Sequence, residues 1–169
     1  FLNTPYAFKV CRIEPENNIH IILEAFANNG TINFVIIGNW ANSTYSKNLK
    51  LQYAHFKNIY MLDPIYNQDI LNQIRSNCFL YIHGHSAGGT NPSLVEAMFL
   101  GLPVCAYDVS YNRETTSSSA IYFKDSIALQ SLLQNLDTTA LNTNAKKMLL
   151  LASDNFTWQK IATAYENLF

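Results

Sequence analysis

Six short apolar runs, at residues 7–13, 32–37, 59–62, 78–83, 103–107 and 120–123, alternate with segments of helical period. Runs this short and this apolar suit strands buried on both faces, not exposed amphipathic helices. Between them, Ile19, Ile22, Leu23 and Phe26 recur at helical spacing, as do Ile70, Leu71 and Ile74, and then Leu94, Val95, Met98 and Phe99. Each set marks a helix laid against a sheet. Alternation of this kind predicts βαβ units, and so an α/β, Rossmann-like parallel sheet with helices on both faces. Past the last run the chain reads as helical, with Leu129, Leu132, Leu133 and Leu136 in one stretch and Trp158, Ile161, Ala162, Tyr165 and Leu168 in another. The aromatic residues fall mostly at core spacing and are assigned to packing. With 169 residues and no repeat or linker, a single domain over residues 1–169 is expected.

A formal net charge of -1 and scattered Lys and Arg residues give no positive field for a polyanion, so nucleic acid is not expected as a partner. Cys11, Cys78 and Cys105 are odd in number and far apart. Each sits in an apolar run where a free thiol behaves as a small hydrophobe, which points to a reducing, cytoplasmic compartment. No run reaches the roughly 18 apolar residues of a membrane span, and the start at Phe1, Leu2, Asn3, Thr4 and Pro5 lacks the basic and apolar parts of a signal peptide.

The segment most able to carry chemistry runs from His83 through Gly84, His85, Ser86, Ala87, Gly88, Gly89, Thr90, Asn91, Pro92, Ser93, Leu94, Val95, Glu96 and Ala97 to Met98. It leads from the end of a strand into a helix. Asn91 suits the N-cap and Pro92 the first helical position, so the helix is expected to open there with free amides at Ser93 and Leu94. Free N–H groups and the positive end of a helix dipole favour a phosphate. Gly88 and Gly89 would let the backbone approach a ligand closely, at the carboxyl end of a strand where open α/β sheets bind ligands.

Two commoner phosphate motifs fail on the same residues. Gly84 and Gly89 have the spacing of a P-loop, but Thr90 and Asn91 stand where its Lys and hydroxyl must be,. The dinucleotide fingerprint needs glycines in the first strand-to-helix turn, which here reads Ile13, Glu14, Pro15, Glu16, Asn17, Asn18,. His83 and His85 are expected to point to opposite sides of the segment and so not to share a metal; no metal is assigned. The segment from Tyr107 through Asp108, Asn112 and Arg113 to Glu114 follows the fifth run and could border the cleft, while Asp108 and Arg113 could instead simply pair or cap a helix.

Taken together, residues 12–17, residues 35–38, Gly88 through Met98, and Gly101, Leu102, Pro103 and Val104 resemble glycosyltransferase family 4. The resemblance extends from about Ala7 to Phe169 and corresponds to the carboxyl-terminal donor domain of a two-domain GT-B enzyme; the stretch from His83 to Ser93 looks most like the rhamnosyltransferase-type branch. It implies a nucleotide-sugar site. Of the family's two glutamates with seven residues between them, Glu96 matches the second, which holds ribose hydroxyls, while Gly88 occupies the position of the first, which faces the sugar. His85 or a neighbouring amide would then take the sugar-facing role. Of the family's Arg and Lys that neutralise the diphosphate, Arg12 is kept and Asn17 replaces the lysine.

The resemblance further implies retaining transfer of a sugar, possibly rhamnose by branch, from a dTDP- or UDP-linked donor to a glycan acceptor in bacterial surface polysaccharide synthesis. Arg12 and His85 would be the catalytic residues, with Asn17, Gly88, Gly89, Thr90, Asn91, Ser93, Leu94 and Glu96 binding the donor. Neither cofactor nor metal is implied. An amino-terminal acceptor domain would precede Phe1, could bring the protein to the inner face of a membrane, and without it turnover would be poor. Two other readings stand beside this one: a non-catalytic nucleotide-sugar-binding module, and a sugar-nucleotide epimerase of similar fold.

Overall fold

The computed structural model describes residues 3–167, apart from the side chain of Ala164; Phe1, Leu2, Leu168 and Phe169 lie outside the described residues. Six strands form one sheet: β1 (Tyr6–Val10), β2 (Asn33–Ile37), β3 (Ile59–Leu62), β4 (Leu80–His83), β5 (Val104–Tyr107) and β6 (Ile121–Phe123). Every pairing is parallel and the spatial order is β3-β2-β1-β4-β5-β6. The order reverses between β1 and β4. A reversal of this kind opens a crevice beyond the carboxyl ends of the two strands.

Alternate residues of each strand face opposite ways. Ala7, Ile36, Ile82 and Cys105 join one apolar cluster with the helices α1 (Ile19–Asn29), α2 (Thr44–Tyr53) and α6 (Ser126–Gln134). Phe8, Val35, Ile37 and Tyr81 point the other way, toward α3 (Gln68–Ser76) and α4 (Pro92–Phe99). Leu94 and Met98 of α4 meet Met148 and Ala152 of α7 (Thr138–Asn155) beside Val104 and Ala106. Helices therefore cover both faces, as the alternation predicts. The edge strands β3 and β6 are only partly buried, because each has a neighbour on one side alone.

The boundaries depart from expectation where the backbone leaves the ladder. β1 ends at Val10 instead of residue 13: Cys11 N–H makes a last bond to the Ile37 carbonyl, and the chain then enters a 3-10 turn at Pro15–Asn17. Pro15 fixes φ at the first position of that turn and holds Glu14 extended,. Arg12 is thus set in a loop above the sheet. The helix α2 was not anticipated, since it buries only Ser46, Leu49 and Tyr53 and is otherwise polar; its start is fixed by a reciprocal Ser43–Ser46 capping box,.

A short helix, α5 (Ser110–Thr115), follows β5. The last helix, α8 (Trp158–Glu166), is helical as its period suggests, but Trp158 and Tyr165 are exposed. Tyr66, Phe99 and Tyr111 are exposed as well, so the assignment of aromatics to packing fails for these five. Among the described residues, no helix is long and apolar enough to cross a membrane.

Candidate functional site

The loop after β1 and the end of β4 are stitched together by side chains. Asn18 takes a left-handed backbone conformation, which asparagine tolerates, and its side-chain amide donates to the Gly84 carbonyl at 2.9 Å. Ser86 donates from its amide and its hydroxyl to the Glu16 carbonyl, at 2.8 and 3.0 Å. Asn17, expected as a donor-binding residue in place of a lysine, is buried. Its Nδ2 donates to the Arg12 carbonyl at 2.9 Å and its Oδ1 lies 3.1 Å from His85 Nδ1.

These two bonds decide the state of His85. With Asn17 Nδ2 committed to a carbonyl, Oδ1 must accept, so His85 Nδ1 carries a proton, and in the neutral ring Nε2 then presents the lone pair. The His85 backbone is held in turn by Asn112, whose side-chain amide donates to the carbonyls of His85 and Tyr107, at 2.9 and 2.8 Å. Asn112 lies in the segment expected to border the cleft, but nothing in the sequence gives it this particular role. Its signal, an asparagine shortly after a strand, is too common to single it out by sequence.

Gly88 adopts a φ of +71°, and added Cβ atoms at Gly88 or Gly89 would meet nothing within 4 Å. The loop is open in front of both residues. At the start of α4 the expectation of free amides is corrected. Asn91 caps the helix as foreseen, and for that reason its Oδ1 takes the Ser93 N–H at 3.0 Å and the Ser93 hydroxyl at 2.8 Å, while its carbonyl takes the Leu94 N–H at 3.0 Å. Leu94 itself is a core side chain. The unbonded amides lie one step earlier, from Gly88 to Asn91, where no N–H donates to another described residue.

Arg12 is 76% exposed at its side chain, with a single ion pair to Glu14 at 3.4 Å. A cleft of about 310 Å³ is lined by Arg12, Asn17, His85, Asn91, Ser93 and Glu96, together with Val10, Cys11, Pro92 and Arg75. Glu96 is bound there: Arg75 Nη1 reaches its Oε2 at 2.7 Å. Arg75 comes from α3, a helix no motif touches, and its burial could not be read from the sequence. A second cleft of about 350 Å³ shares Val10, Cys11 and Arg12 and continues along Gly38, Asn39 and Tyr66. The largest cavity, about 830 Å³, is lined by Pro5, Asn33, Phe79 and Pro103 at the amino ends of the strands, and contains no charged side chain. The smaller clefts are the better site, because the convergent polar groups lie there and at the switch point.

Three neighbouring groups take other parts. His83 and His85 do not point apart: their rings are 6.3 Å from centre to centre, since residues two apart on a strand share a face. His83 is buried with neither ring nitrogen bonded, and burial, then the nearby Lys9 and His85, hold its basicity well below the usual range. It stays neutral. Lys9, also buried, is lowered by the same desolvation. Asp108 and Arg113 pair with each other through two bonds, at 2.5 and 2.9 Å, with the guanidinium over the Tyr122 ring. They do not reach into the cleft's lining. Among the described residues, no group of three His, Cys, Asp or Glu side chains is placed to hold a metal.

An all-parallel sheet in this order, with helices on both faces and a polar cleft at its switch point, is a Rossmann-like arrangement, and its likeness to solved structures makes it the donor-domain half of the GT-B glycosyltransferase fold. Solved structures with this fold include sucrose-phosphate synthase from Thermosynechococcus elongatus, at 18% identity and a TM-score of 0.84 over 99% of this chain and 45% of that one. HepE from Anabaena, in complex with UDP-glucose, superposes at 20% identity and a TM-score of 0.82 over 98% of this chain and 50% of that one. A trehalose-6-phosphate synthase from work on glycosyl transfer with retention gives 12% identity and a TM-score of 0.76 over 98% and 45%. The chain spans half the length of these proteins or less. No curated protein sequence matches it. The family model of the Glycosyl transferases group 1 matches residues 1–148, and the chain belongs to that family.

Proposed function

We propose that the chain is the donor half of a family 4 glycosyltransferase that moves a sugar, with retention, from a dTDP- or UDP-linked donor to an acceptor hydroxyl. The observation that carries this is the convergence in one cleft of Arg12, Asn17, His85, Asn91, Ser93 and Glu96, with the open amides of Gly88, Gly89 and Thr90 in the loop that leads into Asn91. The exposed Arg12 guanidinium and the loop amides are matched to a diphosphate, and the positive end of α4 adds to their field. Glu96 accepts from the nucleoside sugar. The cleft running along Gly38 and Tyr66 leaves room for the base.

Transfer breaks the bond from the anomeric carbon to the diphosphate oxygen and forms one to the acceptor oxygen on the same face; the acceptor's proton passes to the departing phosphate. Charge grows on that phosphate in the transition state, where Arg12 and the amides stabilise it. His85 Nε2 accepts from a donor-sugar hydroxyl. With Gly88 where a sugar-facing carboxylate would stand, the site offers one acceptor fewer, which suits a deoxysugar such as rhamnose. A domain on the amino-terminal side would close the cleft and hold the acceptor, a growing surface polysaccharide, and the chain would act at the cytoplasmic face of a membrane.

Calorimetric titration with UDP, dTDP and GDP tests this. The pyrimidine diphosphates should bind in preference to GDP, and Glu96→Ala should weaken them about 10- to 100-fold, the worth of hydrogen bonds to a charged group. Equal affinity in the variant, or no binding of any diphosphate at millimolar concentration, contradicts it.

A further inference from the structure

Arg75 is 5% exposed, and a guanidinium that deep is costly to desolvate unless it is paired,. Its partner is Glu96, through Nη1 and Oε2 at 2.7 Å; Nε is buried with no hydrogen-bond partner. The pair is unequal. Arg75 is fixed in the wall between α3 and α4, whereas the Glu96 side chain is 53% exposed and faces the cleft that both residues line. A glutamate without such a tether can turn both oxygens toward a ligand and take two adjacent hydroxyls at once. Here Oε2 commits a lone pair to the guanidinium and is held toward the wall, so Oε1 is the oxygen free to turn to a ligand.

We propose that Arg75 is a positioning residue that limits Glu96 to one hydroxyl of the bound nucleoside, the 3′-hydroxyl, so that the site takes ribose and 2′-deoxyribose diphosphates nearly alike. A tether of this kind trades the second hydroxyl contact for a fixed carboxylate, with less side-chain freedom to lose on binding. It also keeps the buried cation neutralised in the empty site. The inference rests on Glu96 as the carboxylate that meets the nucleoside sugar.

The test is titration of the full chain with UDP and with 2′-deoxy-UDP, which differ only in the hydroxyl at issue. The wild-type affinities should agree within about threefold. Arg75→Met frees both Glu96 oxygens, and the preference for UDP should then widen to about tenfold, one added charge-assisted hydrogen bond. Arg75→Lys keeps a cation at the wall and should bring the ratio back toward wild type. A merely structural arginine would change both affinities together and leave their ratio fixed.

A wild-type preference for UDP of tenfold or more overturns the inference, as does an unchanged ratio in Arg75→Met. The wild-type ratio decides the matter by itself if circular dichroism shows Arg75→Met to be unfolded. Glu96→Gln separates the two levels. If it leaves UDP binding unchanged, or if UDP does not bind, Glu96 is not the nucleoside carboxylate and the inference falls with that role. If Glu96→Gln weakens UDP while wild type prefers UDP strongly, only the tether is wrong.

Discussion

Asn17 Oδ1 and His85 Nδ1 lie 3.1 Å apart, joining residues 68 positions apart in sequence and linking the first strand's loop to the end of the fourth strand. Because Asn17 also holds the Arg12 carbonyl, one buried amide sets both the backbone that carries the guanidinium and the tautomer of the imidazole. A lysine at position 17 could donate to a phosphate but could not accept from His85. The replacement therefore changes what the position does.

Asn17→Leu keeps the volume and removes both bonds. Histidine nitrogen resonances should show His85 in the Nδ1–H form in wild type and shifted toward the Nε2–H form in the variant. Leaving the partners unsatisfied should cost about 1–3 kcal/mol of stability in urea unfolding. An unchanged tautomer would show that Asn17 does not govern the ring.

Gly84 and Gly89 should respond in opposite ways to the same methyl group. A Cβ at Gly84 would stand 2.3 Å from the Asn17 carbonyl oxygen and 2.7 Å from Ile22 Cδ1, whereas one at Gly89 meets nothing within 4 Å. Gly84→Ala must push the two loops apart and should lose about 1–3 kcal/mol, the range for forced overpacking. Gly89→Ala should leave stability nearly unchanged and weaken diphosphate binding, as its methyl would fill space in front of the open amides. Equal unfolding midpoints for the two variants would contradict this.

His83 gives the fold an acid limit. Its folded-state basicity is depressed by burial, so the unfolded chain binds a proton that the folded chain does not. Stability is full above the unfolded value of about pH 6.5 and falls by about 1.4 kcal/mol per pH unit below it. The depressed carboxyls of Glu16 and Asp108 titrate at lower pH, and a Lys9 contribution would set in already from its unfolded value of about pH 10.4, so an onset at about pH 6.5 belongs to His83. Urea unfolding between pH 7.5 and 5 should show the slope, and His83→Phe should flatten it. A flat wild-type profile would mean that His83 is protonated in the fold.

Much of the sheet was legible because buried parallel strands announce themselves as short apolar runs, and the run at residues 59–62 matches β3 to the residue. The end of β1 was not, since Cys11 and Ile13 continue the apolar pattern while the backbone has already left the ladder. Asn91 was readable as a cap from its neighbour Pro92. What its cap would take up was not, because the side chain's choice of the Ser93 amide is a matter of geometry. Arg75 and Asn112 carry no local signature at all; both gain their roles from helices that fold over the cleft. His83 was misjudged through strand periodicity, which places residues two apart on one face.

The most direct measurement is amide shift mapping of the labelled chain titrated with UDP. The largest changes should fall at Arg12, Asn17, His85, Gly88 through Asn91, Ser93 and Glu96, around the cleft at the switch point between β1 and β4. Changes centred instead on Ile32, Asn33, Phe79 and Leu141, around the larger cavity at the opposite ends of the strands, would place the ligand elsewhere and contradict a donor site built from Arg12, His85 and Glu96.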